Sequence, residues 1–148
     1  MKLHQLSLFV ENQPGKLRPP CEALADAGIN IITLSLADTQ QFGILRLIVK
    51  DWRKAKEVLE KAGCVVNVTE VVAIEGSADR PGVMARIMKV LEQAKISIEY
   101  VYAFSSYTED KAVMVFRFDD PEAAIAALTA GGINVVGEVE LFGQSMKR

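Results

Sequence analysis

The chain has 148 residues, half of them hydrophobic and 24% charged, so it can bury a sizeable core as one domain or two small ones. Its 17 Lys and Arg against 19 Asp and Glu leave a net charge of -2, without the dense basic footprint of a nucleic-acid binder. One histidine, His4, and two distant cysteines, Cys21 and Cys64, exclude a histidine metal cage, a Ser-His-Asp triad, a zinc ribbon and a redox CxxC.

In chain order, residues 3–11 alternate apolar and polar for part of their length, as a half-buried strand does. Pro14-Gly15 is a turn. Residues 17–27 place Leu17, Cys21, Leu24 and Ala25 at helical spacing, and Gly28 stops that helix. Residues 30–37 and 43–50, rich in β-branched residues and leucine, read as strands joined by a hairpin loop at 38–41. Asp51 is a good N-cap for a helix carrying Ala55, Val58, Leu59 and Ala62 on one face, and Gly63 ends it. Residues 65–74 are the next strand region.

The same series then repeats. Shifted by 67, residues 12–32 superpose on residues 79–99: Pro14 on Pro81, Gly15 on Gly82, Leu24 on Leu91, Ile29 on Ile96 and Ile31 on Ile98. Beyond the hairpin the shift becomes 69, with Ala55 on Ala124, Leu59 on Leu128 and Gly63 on Gly132. Asp120-Pro121 starts the last helix with proline at its first position. The chain is therefore two copies of a βαββαβ unit of about 70 residues, over 1–68 and 69–148. That order predicts an α+β fold of two ferredoxin-like units, each an antiparallel sheet with its helices on one face. Residues 65–77 contain no turn and must end one copy and start the next. At a shift of 67 they match the first strand, and at 69 their front matches residues 134–142. One long strand serving both sheets would free residues 138–142 to pair elsewhere, including across a dimer. Apolar residues at both parities of the second strands, Ile31, Ile32, Leu34 and Leu36, then Ile98, Tyr100, Val101, Tyr102 and Phe104, imply surfaces packed on another unit or chain.

Several chemistries fail on residues. A metal chaperone of this fold wants a CxxC near the first helix, and an RNA-recognition module wants aromatics on its central strands. An acyl-phosphate hydrolase wants a Gly-rich anion loop with an arginine; Arg18 is near that position, with Asn12 as its neighbour, but the rest of the pattern is missing. No nucleophile–base pair is visible and no cofactor or metal is called for. His4 reads as a sheet residue or a pH-sensitive group, Trp52 as a lid over the hairpin, and the cysteines as small buried hydrophobes. Tyr100, Tyr102 and Phe104 serve packing or line a pocket. The short semi-apolar run before Glu11 is no signal peptide and no stretch spans a membrane, so a cytoplasmic location is expected.

The distinctive feature is the strand-to-helix loop, Asn12-Gln13-Pro14-Gly15-Lys16-Leu17 and again Asp79-Arg80-Pro81-Gly82-Val83-Met84. Its glycine leaves room for a backbone or ligand, and the free N–H groups of the helix start can take a carboxylate. Equally, Asn12 or Asp79 can make a local turn that merely opens a helix. The copies differ. Pro19 and Pro20 would remove ladder bonds from a helix begun at Pro14, so the first helix is expected to start late, near Arg18, or to be distorted in its first turns. Val83, Ile87, Val90, Leu91 and Ala94 form a regular stripe in the second.

The pattern [N/D]-x-P-G-x-[L/M] with an Ala-rich helix end and I-[N/S]-I, twice over nearly the whole chain, resembles the ACT domain. The resemblance implies a stand-alone, non-enzymatic regulatory protein that binds a small ligand, typically an amino acid, at an interface between ACT units. In that family the ligand meets the PG loop of one unit and the start of the second strand of its neighbour. Carried onto this chain, those positions are Asn12, Pro14, Gly15, Lys16 and Leu17 with Asn30 and Ile31. In the second copy they are Asp79, Pro81, Gly82, Val83 and Met84 with Ser97 and Ile98. A homodimer is expected, with a regulated enzyme or regulator as a further partner and no nucleic acid or membrane. The alternatives are a pure protein-interaction module and the small hydrolase using Arg18 and Asn12.

Overall fold

The computed structural model describes residues 1–11, 13–39, 42–77, 80–105 and 111–145. The elements run β1 (Lys2–Glu11), α1 (Arg18–Asp26), β2 (Ile31–Thr39), β3 (Phe42–Val49), α2 (Trp52–Lys61), β4 (Val66–Ser77), α3 (Val83–Gln93), β5 (Ile98–Ser105), β6 (Lys111–Phe118), α4 (Pro121–Ala130), β7 (Val135–Val136) and α5 (Glu138–Ser145). This is βαββαβ twice, α+β, in two compact units: His4–Thr69, and Met1–Leu3 with Glu70–Arg148. The boundary falls inside β4, so one strand closes the first unit and opens the second.

In the first unit β1 and β2 both pair antiparallel with β3, Leu6 on Leu47 on Leu34 and Leu8 on Leu45 on Leu36. Paired residues share a sheet face, so these rows face the helices. Leu6, Leu8, Leu45 and Leu47 meet Leu24 of α1 and Ala55 and Leu59 of α2 in one core. Each fully buried leucine contributes about 1.5–3 kcal/mol of transfer free energy. Leu34 and Leu36, on the outer strand β2, remain about half exposed. Trp52 stacks on His4 of β1, with centroids 4.6 Å apart, and the Arg53 guanidinium carbon lies over the Trp52 ring at 4.9 Å from its centroid.

The second unit repeats this with β4, β6 and β5, and a core of Val72, Ile74, Met114, Phe116 and Phe118 under Ile87, Leu91, Ala124 and Leu128. The strand correspondence differs from the expected shift of 67. Core-facing Leu6 and Leu8 correspond to core-facing Val72 and Ile74, a shift of 66. A shift of 67 would align these with Gln5 and Ser7, on the opposite face. The second copy absorbs the difference with one more residue before its proline.

The C-terminal expectation is corrected as well. Only Val135 and Val136 pair with β4, and residues 138–142 lie in the helix α5. The cause is a helix start in Gly137-Glu138-Val139-Glu140. The Leu141 N–H donates to the Gly137 carbonyl at 3.1 Å, and the Glu140 carboxylate accepts from the Gly137 N–H at 2.9 Å. This is the acidic half of a capping box, with Glu138 and Glu140 favourably placed at the positive end of the helix.

Candidate functional site

Both PG loops carry glycine in the left-handed region, Gly15 at φ +84 and Gly82 at φ +94. Beyond the adjoining residues, nothing among the described residues lies within 4 Å of a Cβ built at either position. The glycines are therefore required by backbone conformation, worth about 1–2 kcal/mol against an L side chain, rather than by a close approach. In the first loop Lys16 N–H donates to the Gln13 carbonyl at 3.3 Å. With Pro14 second and Gly15 third, this is the signature of a type II turn. Lys16 Nζ lies 3.8 Å from the Glu11 carboxylate.

The loops deliver different helix starts. α1 begins at Arg18, late as expected, so Pro19 and Pro20 fall in the first turn, where an N–H would have no helical partner. Only Arg18 keeps an amide there, and its guanidinium pairs with Glu22 at 3.4 Å. α3 begins at Val83 with Gly82 as N-cap, and the Arg86 N–H closes onto the Gly82 carbonyl at 3.0 Å. Val83, Met84 and Ala85 all keep first-turn amides. Neither Leu17 nor Gly82 caps with a side chain, whereas Asp51 and Asp120 cap α2 and α4 at 3.1 Å. Pro14, Gly15, Lys16, Leu17, Pro81, Gly82 and Met84 are exposed, and Asn12 and Asp79 lie outside the described residues. Val83 is partly buried and packs on the second core, and its Cγ1 lies 2.8 Å from where a Gly76 Cβ would stand. Gly76, a glycine inside a strand, was the overlooked signal for that close approach.

The other residues expected at each site stand at the start of the unit's second strand. Asn30 and Ser97 are exposed, while Ile31 and Ile98 are half-buried against the cores. A register irregularity follows both, between Ile31 and Thr33 and between Ile98 and Tyr100, of the kind that re-aims side chains. In the second unit Asp119 holds this end. Its Oδ1 accepts from the Ser97 N–H at 3.1 Å and the Asp120 N–H at 2.9 Å, and its own N–H donates to the Ser97 carbonyl at 3.2 Å. The first copy has Lys50 at that position.

Within one unit the two halves are not brought together. β1 ends where Glu11 pairs with Phe42 and Phe42 with Thr39, whereas Ile31 pairs with Val49 at the far end of the sheet. The second unit repeats this, with Ser77 on Lys111 at the loop end and Ile98 on Phe118 at the other. A shallow groove of about 410 Å³, lined by Arg53, Lys56, Glu57, Glu60 and Lys61 on α2, touches none of these residues.

Residues 1–143 match the ACT domain pair. This chain belongs to that family. The ACT pair is 34% identical to protein BT0572 of Bacteroides thetaiotaomicron, with a TM-score of 0.88 over 96% of both chains. It is 29% identical over 136 residues to the aspartokinase of Corynebacterium glutamicum, covering 82% of this chain but 31% of that enzyme. The ACT pair thus spans about a third of that relative's length. The ligand-free regulatory subunit of aspartate kinase from Thermus thermophilus shares the fold, with a TM-score of 0.61 at 23% identity over 86% of this chain and 91% of that one. No helix among the described residues of the ACT pair is long and apolar enough to cross a membrane. Among them, too, no three His, Cys, Asp or Glu gather as a metal site would require.

Proposed function

We propose that this protein is a non-enzymatic, cytoplasmic regulator that binds an amino acid at an interface between ACT units, one unit each in residues 1–68 and 69–148. The observation that carries this is the start of α3: an exposed left-handed glycine followed by amides of Val83, Met84 and Ala85, which no N-cap side chain satisfies. Such a start favours a carboxylate through both its N–H groups and its dipole. Regulatory subunits among the structural neighbours support a regulatory rather than catalytic role. Because the loop and the second-strand start lie at opposite ends of each unit, a complete site needs a neighbouring unit. A homodimer supplies one, and the exposed Leu34, Leu36 and Val101 on the outer strands favour association. A regulated enzyme or regulator would read the resulting change in geometry.

Thermal unfolding of the full chain against each of the twenty L-amino acids tests this. A ligand at 100 times its Kd adds about 2.7 kcal/mol, a shift of several degrees. A flat panel would reject the amino-acid reading. It would favour docking of a protein on the helix-free face of the first sheet, where Phe9 is 63% exposed.

A further inference from the structure

We infer that the helix-free face of the first sheet is covered by the same face of a second copy of the chain, about a twofold axis along the row Phe9–Ile44–Ala37. The strand registers set three rows on that face: Ser7–Arg46–Ser35, then Phe9–Ile44–Ala37, then Glu11 beside Phe42. Phe9 is 63% exposed and Phe42 47%, with Ile44 and Ala37 half-buried beside them. Diagonal neighbours one row apart are within reach of aromatic rings, so these side chains make one apolar patch. In the second unit the same positions are closed. Glu75 stands where Phe9 does and Lys111 where Phe42 does; they pair at 3.1 Å, and the Glu75 side chain is 6% exposed. Val113 and Val115, in the places of Ile44 and Arg46, are fully buried.

Charge decides what covers the patch. A twofold interface must be self-complementary. Here Arg46 lies one row before the Phe9 row and Glu11 one row after it, so opposite charges flank an apolar centre. An axis lying in the interface along the Phe9 row turns the two flanking rows onto each other. Each Arg46 then stands over the Phe42 ring of the second copy and diagonal to its Glu11, and both contacts attract. Phe9, Ile44 and Ala37 meet their own counterparts across the roughly 10 Å that separates packed sheets. An axis along the strands would instead set Arg46 against Arg46, which opposes association. Within one chain Glu11 and Arg46 cannot pair. Glu11 is level with Phe42, and Phe42 and Arg46 are about 13 Å apart along β3. Glu11 does lie 3.8 Å from Lys16, but both are exposed and such a pair is weak enough to share. This interface does not depend on the amino-acid reading. It also differs from an outer-strand contact, because Leu34 and Leu36 share the helix side with Leu47 and Leu45.

Sedimentation velocity on the full chain, from about 5 to 200 µM, tests this. The wild type is expected to pass from monomer to dimer within that range. Phe9→Glu alters an exposed side chain and installs the residue that the second unit carries there, so the melting temperature of the dilute protein should not change. On the axis it sets two like charges together and is expected to weaken association about thirtyfold or more. Glu11→Arg and Arg46→Glu are each expected to weaken it about tenfold, and the two combined to recover part of that loss, which only a contact between chains can do. A wild type that stays monomeric at the top of the range overturns the inference. So does a dimer that Phe9→Glu leaves intact, or one lost instead in Leu36→Asp, which would lie on the outer strand. A dimer weakened by Phe9→Glu without recovery in the double charge reversal overturns the twofold arrangement.

Discussion

Arg86 of α3 donates from Nη2 to the carbonyl of Gly131 at 2.8 Å, just past the end of α4. The first unit makes the same kind of tie in the opposite direction: Lys54 of α2 donates to the Ala27 carbonyl at 3.2 Å, just past the end of α1. A cation at a helix C-terminus satisfies an orphan carbonyl and opposes the dipole. Arg86→Ala is expected to lower stability by on the order of 0.5–1 kcal/mol, discounted for its exposure, or about 2–4 °C in melting temperature. Lys54→Ala, with the longer bond, is expected to cost less. Urea unfolding of both variants checks the ranking.

Val83 leaves no room for a side chain at Gly76. A methyl at Gly76 would stand 2.8 Å from Val83 Cγ1, too close for the two to coexist unmoved. Gly76→Ala is expected to cost about 1–3 kcal/mol through overpacking. Adding Val83→Ala makes room, and a double-mutant cycle should show the second change recovering part of the first loss. Simple additivity would mean that the contact is relieved elsewhere.

Burial pushes the Cys64 thiol above its ordinary 9.0. The folded state thus favours the neutral thiol, and its contribution to stability is present below pH 9 and lost as pH rises through the folded value. Iodoacetamide, which reacts with the thiolate, is expected to modify Cys64 several-fold more slowly than a free thiol at neutral pH. Peptide mapping after timed alkylation would reveal a reactive Cys64 if the expectation fails.

Lys2 bridges Glu70 at 2.7 Å and Glu122 at 3.0 Å, and these hydrogen bonds, Glu70's foremost, hold its ammonium above the usual 10.5. A raised lysine pKa stabilises fully below pH 10.5, and the gain disappears as pH climbs through the folded value. The stability difference between wild type and Lys2→Met should therefore be constant through neutral pH and vanish in strong alkali. A difference that persists there would have to come from the packing of the side-chain stem.

Most elements were legible because their signals are local. The Asp51 and Asp120 caps, the prolines that delay α1 and the repeated PG turn each act within a few residues. The register of β4 was not legible, because Val71, Val72, Ala73 and Ile74 are all fully buried and an unbroken apolar run carries no phase. α5 was obscured by Val135, Val136, Val139 and Leu141, which suit a strand as well as a helix. Its start depends on Glu140 reaching back to Gly137. The separation of the two halves of each site comes from which strands pair, a long-range property that no short motif encodes. The aspartate doublet hid two tasks, since Asp120 caps a helix while its neighbour Asp119 ties down Ser97.

Because the division between the units falls inside β4, no linker separates them along the chain. Beads on a string can be cut apart or respaced at the string, but here the last strand of one bead is the first strand of the next. One residue inserted midway along β4 would turn every later side chain of that strand to the wrong face. The two copies are free to differ in their loops, as they do where Pro19 in one stands against amide-bearing Met84 in the other. In the strand they hold in common, neither can change without the other.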